Sequence, residues 1–446
     1  MFHLAGTPWR VVFNPECRPP RGTTAAGDVF FSRHAYLASN VVVTCGKEGY
    51  DLDPSRAVFF TMDEGFYVYI YQKNNTYFAQ ISDGLEALGA DELKTLGATD
   101  TKPGFRGIHF TANKETLYRI VYNARLISRV LAPLVSFPCK DGDTLYRKAK
   151  QVAWSDFLTP FYTFAIFANV SNSEINHSQF AGLRLKDAIA DYFRQKTGKR
   201  PNVNPKFPDV WFNLHIRDNT AMISLDVSGG AMHKRGYRKH RVDAPIQETL
   251  AAAIIKLSGW DGSVPLIDPM CGSGTLLCEA LMHYYRIPAG ILRKHTGIKY
   301  MPDYDPAIYK AMVSSSHRQI TSFQDRLIYG SDIDQKAVDA ARRNANRIPG
   351  GDKIRFERKN YKYLDRLENK VIVCNPPFGI RLKPMAAMED FYRSFGDFLK
   401  QNCTGSTAYI YFGEREHIKH LGLKTAFKKE MKNGGLDGRL VKVELY

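Results

Sequence analysis

The sequence predicts an α/β protein whose carboxyl-terminal half contains a parallel, doubly wound sheet. From about residue 246, apolar strand-like segments alternate with helical segments, the pattern of a parallel sheet. One predicted strand, 371–374, runs into Asn375-Pro376-Pro377, and proline ends a strand because it cannot donate to the ladder. A glycine-rich turn, 271–274, separates another strand from a helix. Ligands of open α/β sheets bind at the carboxyl ends of strands, where both turns fall.

Residues 1–70 are predicted to form a poorly defined extension. The aromatic segment 57–72 is compatible with two strands around Asp63-Glu64-Gly65. Three explanations stay open for this part of the chain: an atypical extension, a disordered leader, or a start codon assigned too far upstream, with Met62 as an alternative start.

A regular pattern begins near residue 76 and predicts a β-α-β-α unit. The expected elements are a strand at 76–82, a helix at 84–97, a strand at 105–112 and a helix at 114–134. The last helix is predicted from apolar residues near helical spacing: Leu117, Ile120, Val121, Ala124, Ile127 and Val130. This unit ends near Pro138.

A second unit follows, and a third extends to the carboxyl terminus. The second has predicted helices at 143–157 and 177–198, a strand at 163–170, and a hairpin at 210–229 with Asp218-Asn219 at its turn. In the third, the alternating strands and helices end in a hairpin around Asn433-Gly434-Gly435, which would add antiparallel edge strands.

The charge balance predicts a polyanionic partner. The chain has 62 Lys and Arg residues against 45 Asp and Glu residues, a net charge of +17. Such an excess favours nucleic acid first and an anionic membrane surface second, with a merely solvated basic surface as the alternative. Basic residues are densest at 184–241, where aromatic residues lie between them, and RNA is the favoured partner. The predicted RNA contacts are Lys199, Arg200, Lys234, Arg235, Tyr237 and Arg238.

The seven cysteines are scattered and form no C-x-x-C pair. We therefore expect neither a metal site nor a disulfide framework, and a reducing cytoplasmic location. No apolar run approaches the roughly 20 residues that span a bilayer, and the first residues do not resemble a signal peptide.

The stretch 268–275, Asp-Pro-Met-Cys-Gly-Ser-Gly-Thr, is predicted to bind a cofactor. Its glycines let the backbone approach a ligand, and the following helix offers free N–H groups. It matches neither the P-loop nor G-x-G-x-x-G. Asp332 closes the next strand, where a carboxylate can accept both hydroxyls of a ribose. Asp334 is the alternative ribose ligand, or a helix N-cap.

The segment Asn375-Pro376-Pro377-Phe378 is predicted to hold the reacting group. The Asn375 side-chain oxygen and a nearby backbone carbonyl can both accept hydrogen bonds from one exocyclic amine. Phe378 offers a face on which a flat base can stack. The alternative is a strand that merely ends in a proline-rich turn.

These motifs, in this order, resemble the S-adenosylmethionine-dependent amino-methyltransferases. With HKRGYR at 233–238, APIQETLAAAI at 244–254 and NGGLDGRL at 433–440, the chain from about 76 to 446 resembles the bacterial 23S rRNA guanine-N2 methyltransferases of the RlmL type. The resemblance implies a ferredoxin-like unit at 71–140, a THUMP RNA-binding domain at 141–230 and a class I methyltransferase domain at 231–446. It also implies S-adenosylmethionine as cofactor and the N2 of a large-subunit rRNA guanine as target.

The resemblance assigns the site residues and shows two departures. The catalytic residues would be Asn375, Pro376, Pro377 and Phe378, and the cofactor-binding residues Asp268, Met270, Gly272, Gly274, Thr275, Asp332 and Asn360. Phe378 stands where the family usually has tyrosine, so one hydroxyl hydrogen bond is lost. Asn360 stands where the family usually has an aspartate beside the adenine, and it keeps an acceptor for the adenine amine.

Three other functions stay open. The same chemistry could act on guanine N2 of tRNA or on adenine N6. A non-catalytic RNA-binding or ribosome-assembly factor could retain a vestigial pocket. An oxidoreductase is disfavoured because G-x-G-x-x-G is absent.

Overall fold

The computed structural model describes residues 68–446, except 241–245, 326, 378–384 and 433–436, and four short strands before residue 68. The chain divides into two compact units, Met1–Tyr67 and Val68–Tyr446. In the first unit, two antiparallel pairs are described: β1 (His3–Leu4) with β2 (Thr7–Pro8), and β3 (Val41–Val43) with β4 (Val58–Phe60).

The strand pair expected at 57–72 is only half correct. Its first arm contains β4, but its second arm contains the helix α1 (Ile70–Asn74), and the turn residues 63–65 lie outside the described residues. The N-cap of this helix is Tyr69, whose backbone N–H donates to the side-chain oxygen of Gln72, and the C-cap is Asn75, whose φ is +52°. This local capping outweighs the β-preference of the aromatic residues.

The strands in the amino-terminal half of the second unit form one mixed eight-stranded sheet. Its strands are β5 (Thr76–Gln80), β6 (Thr99–Gly104), β7 (Gly107–Thr111), β8 (Arg129–Pro138), β9 (Thr163–Ser171), β10 (Asn202–Val203), β11 (Val210–Arg217) and β12 (Thr220–Asp226). They lie in the order β10-β9-β11-β12-β8-β5-β7-β6. The helices beside them are α2 (Glu86–Thr95), α3 (Lys114–Asn123), α4 (Gly142–Ala149) and α5 (Ser178–Thr197). Because β8 pairs with both β5 and β12, the predicted ferredoxin-like and THUMP strands share this sheet.

Two helix predictions in this half are too long. The helix expected at 114–134 ends with α3 at Asn123, and β8 occupies 129–138, so Val130 lies on a strand. Residues 130–132 of β8 are all buried, and a continuous apolar run of this kind cannot be separated from a buried helix by periodicity. The helix expected at 143–157 ends with α4, and a short 3-10 helix at Trp154–Asp156 follows.

The hairpin prediction at 210–229 is confirmed. Strands β11 and β12 pair antiparallel from Phe212–Leu225 to Arg217–Thr220. The two turn residues, Asp218 and Asn219, have φ values of +50° and +55°. Positive φ at both positions is what a type I′ turn requires, and Asp and Asn tolerate it best among residues with a side chain.

The carboxyl-terminal half forms a seven-stranded sheet. Its strands are β13 (Leu266–Asp268), β14 (Ile328–Asp332), β15 (Arg355–Arg358), β16 (Val371–Cys374), β17 (Thr407–Phe412), β18 (Phe427–Glu430) and β19 (Arg439–Glu444). The helices are α6 (Glu248–Ser258), α7 (Thr275–Tyr284), α8 (Pro306–Arg318), α9 (Gln335–Ala345) and α10 (Met385–Asn402). The order is β15-β14-β13-β16-β17-β19-β18, in which the first five strands are parallel and β19 runs antiparallel to both of its neighbours, β17 and β18. The predicted fold class is confirmed.

This topology brings the predicted site together. Strand β13 lies between β14 and β16, and parallel strands end at the same edge of the sheet. The residues at these ends are Asp268 on β13, Asp332 on β14 and Asn375 directly after β16. In the described part of the chain, no helix is both long and apolar enough to cross a membrane.

Candidate functional site

The glycine turn after β13 is held by its neighbours. The N–H of Cys271 donates to the carbonyl oxygen of Ser331 at 2.9 Å. Gly272 and Gly274 have φ values of +51° and +80°. A Cβ at Gly274 would lie 3.0 Å from the Cβ of Ala341, so close packing and backbone conformation both favour glycine there. The turn leads into α7 at the buried Thr275, and the start of this helix faces the strand ends.

Asp332 braces this turn from the next strand. One carboxylate oxygen accepts the N–H of Gly272 at 2.9 Å, and the other accepts the N–H of Asp334 at 3.0 Å. Each carboxylate oxygen can accept a further hydrogen bond, so Asp332 is preorganised yet still has acceptor capacity. Asp334 is the N-cap of α9, because its side chain accepts the N–H of Lys336 at 2.9 Å.

Asp268 is a buried acid that has no cationic partner among the residues that the structure describes. Its side chain is 2% exposed and accepts the N–H of Met270 at 3.1 Å. Burial, together with the neighbouring carboxylate of Asp332, raises the pKa of Asp268 to about 8. A positively charged ligand would be attracted to the neighbouring carboxyl groups of Asp268 and Asp332. Met270 is half-buried and packs against a hydrophobic cluster that includes Ile267 and Ile372.

Asn375 carries an unusual buried oxygen. Its Oδ1 is shielded from solvent and has no hydrogen-bond partner among the described residues. Leaving such an acceptor unpaired costs about 1–3 kcal/mol, a cost that a ligand amine could offset. Pro376 is buried and Pro377 exposed, so the turn leaves the sheet core at once. The prediction for Phe378 lies outside the described residues.

Asn360 follows β15 after one intervening residue, Lys359, and lies on the far side of β14 from β13. Its side-chain oxygen accepts the N–H of Lys362 at 3.0 Å and caps the short 3-10 helix Tyr361–Tyr363. The side chain is half-buried, so this oxygen is within reach of solvent and can accept a second bond.

The predicted RNA-binding residues separate into two groups. Lys199, Arg200 and Lys234 are exposed. Arg235 and Tyr237 are 1% and 0% exposed, and both reach the buried carboxylate of Glu279 on α7, the Arg235 Nε at 3.5 Å and the Tyr237 hydroxyl at 3.0 Å. The structure therefore gives Arg235 and Tyr237 contacts inside the protein, where no phosphate can touch them.

Arg238 is also occupied. It forms an ion pair with Glu248 at 3.2 Å and donates to the carbonyl oxygen of Ile246 at 2.8 Å. The next residues are linked to the glycine turn through Asn344. Its side-chain oxygen accepts the N–H groups of Lys239 and His240, and its side-chain N–H donates to the carbonyl oxygen of Ser273 at 3.2 Å. The basic segment 233–240 is therefore connected to the glycine turn by hydrogen bonds within the protein.

Three residues near this edge did not emerge from the sequence. Ile333 is 64% exposed and lies between Asp332 and Asp334. Tyr392 on α10 stacks on His417 with ring centroids 5.1 Å apart, and the Tyr392 hydroxyl and His417 Nδ1 are buried with no hydrogen-bond partner in the described part of the chain. An isoleucine between two aspartates at a strand end could have been recognised in the sequence as a candidate site residue. No sequence pattern indicates that Tyr392 stacks on His417.

Comparisons with known proteins agree with this geometry. An RlmL ferredoxin-like domain model matches residues 76–131, a THUMP domain model residues 139–226, and an RMKL-like methyltransferase domain model residues 235–442. The slr0064 protein of Synechocystis sp., which has the provisional name of an RNA methyltransferase, is 37% identical over 371 residues, covering 83% of this chain and 97% of that protein. The chain belongs to the RMKL-like methyltransferase family. The resemblance to RlmL-type enzymes is confirmed.

Two further relatives define the extent of the match. The ribosomal RNA large subunit methyltransferase K/L of Syntrophotalea carbinolica is 36% identical, covering 83% of this chain but 53% of that protein, so the chain spans about half of its length. The crystal structure of SMU.472, provisionally named a methyltransferase and complexed with SAH, has a TM-score of 0.73 and 26% identity, covering 83% of this chain and 98% of that one. The expected cofactor, S-adenosylmethionine, is confirmed for this RMKL-like methyltransferase.

No group of three or more His, Cys, Asp or Glu residues in the described ranges is placed to hold a metal ion.

Proposed function

We propose that this RMKL-like methyltransferase transfers the methyl group of S-adenosylmethionine to the exocyclic N2 of a guanine in 23S rRNA. The buried Oδ1 of Asn375, which has no partner among the described residues, supports this most directly, because it can accept a hydrogen bond from an amine at the strand ends that also carry Asp332. The K/L relatives, which are named for large-subunit rRNA, favour this rRNA over tRNA as the substrate.

The residues around the glycine turn fit the cofactor. Asp332 would accept the ribose hydroxyls, and the helix start after Gly272 would face the cofactor carboxylate. Asp268 would lie near its positive charge, which would restore the ionised form of this acid. Ile333 offers an exposed apolar face for the adenine, and Asn360 an acceptor for the adenine amine.

Other residues of the turn would shape the pocket. Gly274 keeps the backbone tight against α9, Thr275 starts α7, and Met270 lies next to the acid it donates to. When bound, S-adenosylmethionine supplies an activated methyl group on a sulfonium.

The protein must prepare the guanine amine. The lone pair of N2 is delocalised into the ring, which makes the amine a poor nucleophile. Acceptance of its two N–H bonds by the Asn375 side chain and the Pro376 carbonyl would localise the lone pair and direct it at the methyl group. Pro377 fixes the turn, and Phe378 would hold the base after it leaves its stack.

The central test is the variant Asn375→Ala. We expect turnover to fall by about 10²–10³-fold, as when other enzymes lose one preorganised polar group at a reacting centre, while calorimetric affinity for S-adenosylmethionine is unchanged. Asn346→Ala is the matched control, because Asn346 is an exposed amide at the C-cap of α9, and this variant should keep full turnover. Wild-type turnover in the Asn375 variant would remove this residue from the mechanism.

The target is tested by mapping N2-methylguanine and N6-methyladenine in rRNA and tRNA from cells with and without the gene. Loss of one N2-methylguanine in 23S rRNA supports the proposal. Loss of a mark only in tRNA, or only at adenine, would reassign the substrate. Failure of the purified protein to bind S-adenosylmethionine would instead favour the non-catalytic assembly factor.

A further inference from the structure

Two phenylalanine rings project into solvent at one edge of the eight-stranded sheet. Phe161 and Phe207 are each 83% exposed. The same domain buries other large rings completely, among them Trp154, Phe164 and Phe212, so its core is not short of apolar volume. Clusters of exposed aromatic side chains on a folded domain mark interaction surfaces.

The strand topology places both rings together. Phe161 precedes β9 and Phe207 precedes β11, and these neighbouring strands are parallel, so their starts share one edge. The loops are tied to each other: the backbone N–H and hydroxyl of Thr163 both donate to a carboxylate oxygen of Asp209 at 2.8 Å, and the N–H of Asp209 donates back to the carbonyl oxygen of Thr163 at 3.0 Å.

Each loop also has its own internal support. The side-chain oxygen of Asn204 accepts the N–H groups of Lys206 and Phe207 at 3.2 and 3.0 Å. In the other loop, the N–H of Tyr162 donates to the carbonyl oxygen of Thr159 at 3.1 Å. The two rings are therefore presented on braced turns, which limits the entropy lost when a ligand binds.

Positive charge surrounds these rings. The ammonium of Lys199 lies 5.8 Å from the centre of the Phe161 ring, and the exposed Arg200 and Lys206 lie on the segments next to it. Strand β10, which follows Arg200, pairs parallel with β9, so its start lies at the same edge. The acid of the two tied loops, Asp209, already accepts two hydrogen bonds from Thr163.

The surface continues toward the methyltransferase half. Tyr162 packs edge-on against Tyr300, with ring centroids 5.5 Å apart, and Lys299 lies 4.8 Å above the Tyr300 ring. Tyr300 belongs to the segment between α7 and α8, and α7 is the helix that starts at the glycine turn.

We propose that Phe161 and Phe207, with Lys199, Arg200 and Lys206, form a stacking surface for unpaired nucleotides of the substrate RNA. This inference rests on the proposed RNA substrate. Every base has a flat face, so the rings bind unpaired RNA with little sequence preference, while the cations contact phosphates. Duplex RNA hides its bases and cannot stack in this way.

The test uses the full chain and the double variant Phe161→Ala/Phe207→Ala. Its probes are a fluorescein-labelled oligouridylate and the same strand annealed to oligoadenylate, at fixed salt. We expect about a tenfold or greater loss of affinity for the single strand, little change for the duplex, and an unchanged salt slope, because no phosphate contact is removed. Phe161→Trp/Phe207→Trp should retain single-strand affinity.

Phe105→Ala is the matched control, because Phe105 is 76% exposed in the turn between β6 and β7, at the opposite end of the sheet order. Equal single-strand affinity of wild type and the double variant, or an equal loss in Phe105→Ala, would overturn the inference. Methyl transfer to rRNA by the wild type separates the two proposals. If wild type methylates rRNA and the double variant does so with unchanged KM, the stacking surface alone fails; if wild type methylates no RNA, the proposed function fails.

Discussion

Two basic stretches of this chain have similar compositions and opposite environments. Residues 199–206 expose Lys199, Arg200 and Lys206 beside a projecting Phe207. Residues 233–238 also combine basic residues with an aromatic one, yet there Arg235 and Tyr237 are buried. Basic density therefore indicates a nucleic-acid partner only where the cations are accessible, and accessibility is a property of the fold.

The buried stretch connects the two halves of the second unit. Besides Glu279, Arg235 donates to the carbonyl oxygens of Met232, at 2.8 Å, and of Arg125. Arg125 in turn donates to the carbonyl oxygen of Met282 at 2.7 Å. The stretch thus joins the segment before β8 to α7, the helix that starts at the glycine turn.

The largest expected effect is the removal of the buried guanidinium. Arg235→Ala should lower the free energy of unfolding by about 3–5 kcal/mol, because it leaves the carboxylate of Glu279 buried without its cation. Urea unfolding followed by circular dichroism measures this change. Lys234→Ala, the exposed neighbour, should stay within about 0.5 kcal/mol of wild type. Equal stability of both variants would mean that the buried and exposed stretches do not differ as the structure indicates.

The hydroxyl of Tyr237 supplies a second, smaller test of the same cluster. Tyr237→Phe keeps the ring and removes the 3.0 Å hydrogen bond to Glu279. We expect a loss of about 1.5–3 kcal/mol in the free energy of unfolding, the usual worth of a hydrogen bond to a charged group. RNA affinity of the folded variant, measured at the same salt, should be unchanged. A variant that kept its stability and lost RNA binding would restore Tyr237 as an RNA contact.

These clusters show what the sequence could predict. The strand ends at Asp268, Asp332 and Asn375 were readable because local patterns identify strands and turns, and parallel topology brings their ends together. The burial of Arg235 was not readable, because Glu279 is its partner only after α7 folds against the 233–238 segment. Nor was β8, whose two-sided burial imitates a helical pattern.

Asp268, which pairs with no cation within the described ranges, provides a contrasting case to Glu279. Asp268 keeps its proton in the folded protein up to about pH 8, whereas the unfolded chain releases it near pH 3.9. Within that window the folded state binds more protons, so the free energy of unfolding falls as the pH rises, by at most about 1.4 kcal/mol per pH unit.

Asp268→Asn, which mimics the protonated acid, should remove this part of the pH dependence. The measurement compares urea unfolding of both proteins without cofactor between about pH 5 and pH 7.5. This range lies between the pKa values of Asp268 in the unfolded and the folded protein, where the free energy of unfolding changes by at most about 1.4 kcal/mol per pH unit. Parallel pH profiles would show that Asp268 is ionised in the folded protein. Cofactor binding at neutral pH should release a proton from wild type but not from the variant, which calorimetry in buffers of different ionisation enthalpy detects.

The smallest effect belongs to the exposed stretch. Lys199→Ala should leave the free energy of unfolding within about 0.5 kcal/mol of the wild-type value, because the interactions of an exposed cation contribute little to stability. Its signature is electrostatic: for a single-stranded RNA, the slope of log affinity against log salt should become shallower by about 0.7 if one phosphate contact disappears. Lys94→Ala on α2 is the matched control, since this exposed lysine lies outside the edge of the sheet that carries Phe161, and its slope should equal that of wild type. If Lys94→Ala and Lys199→Ala change the slope equally, RNA binding depends on the overall charge of the protein. The exposed stretch 199–206 would then be no more an RNA contact than the buried stretch 233–238.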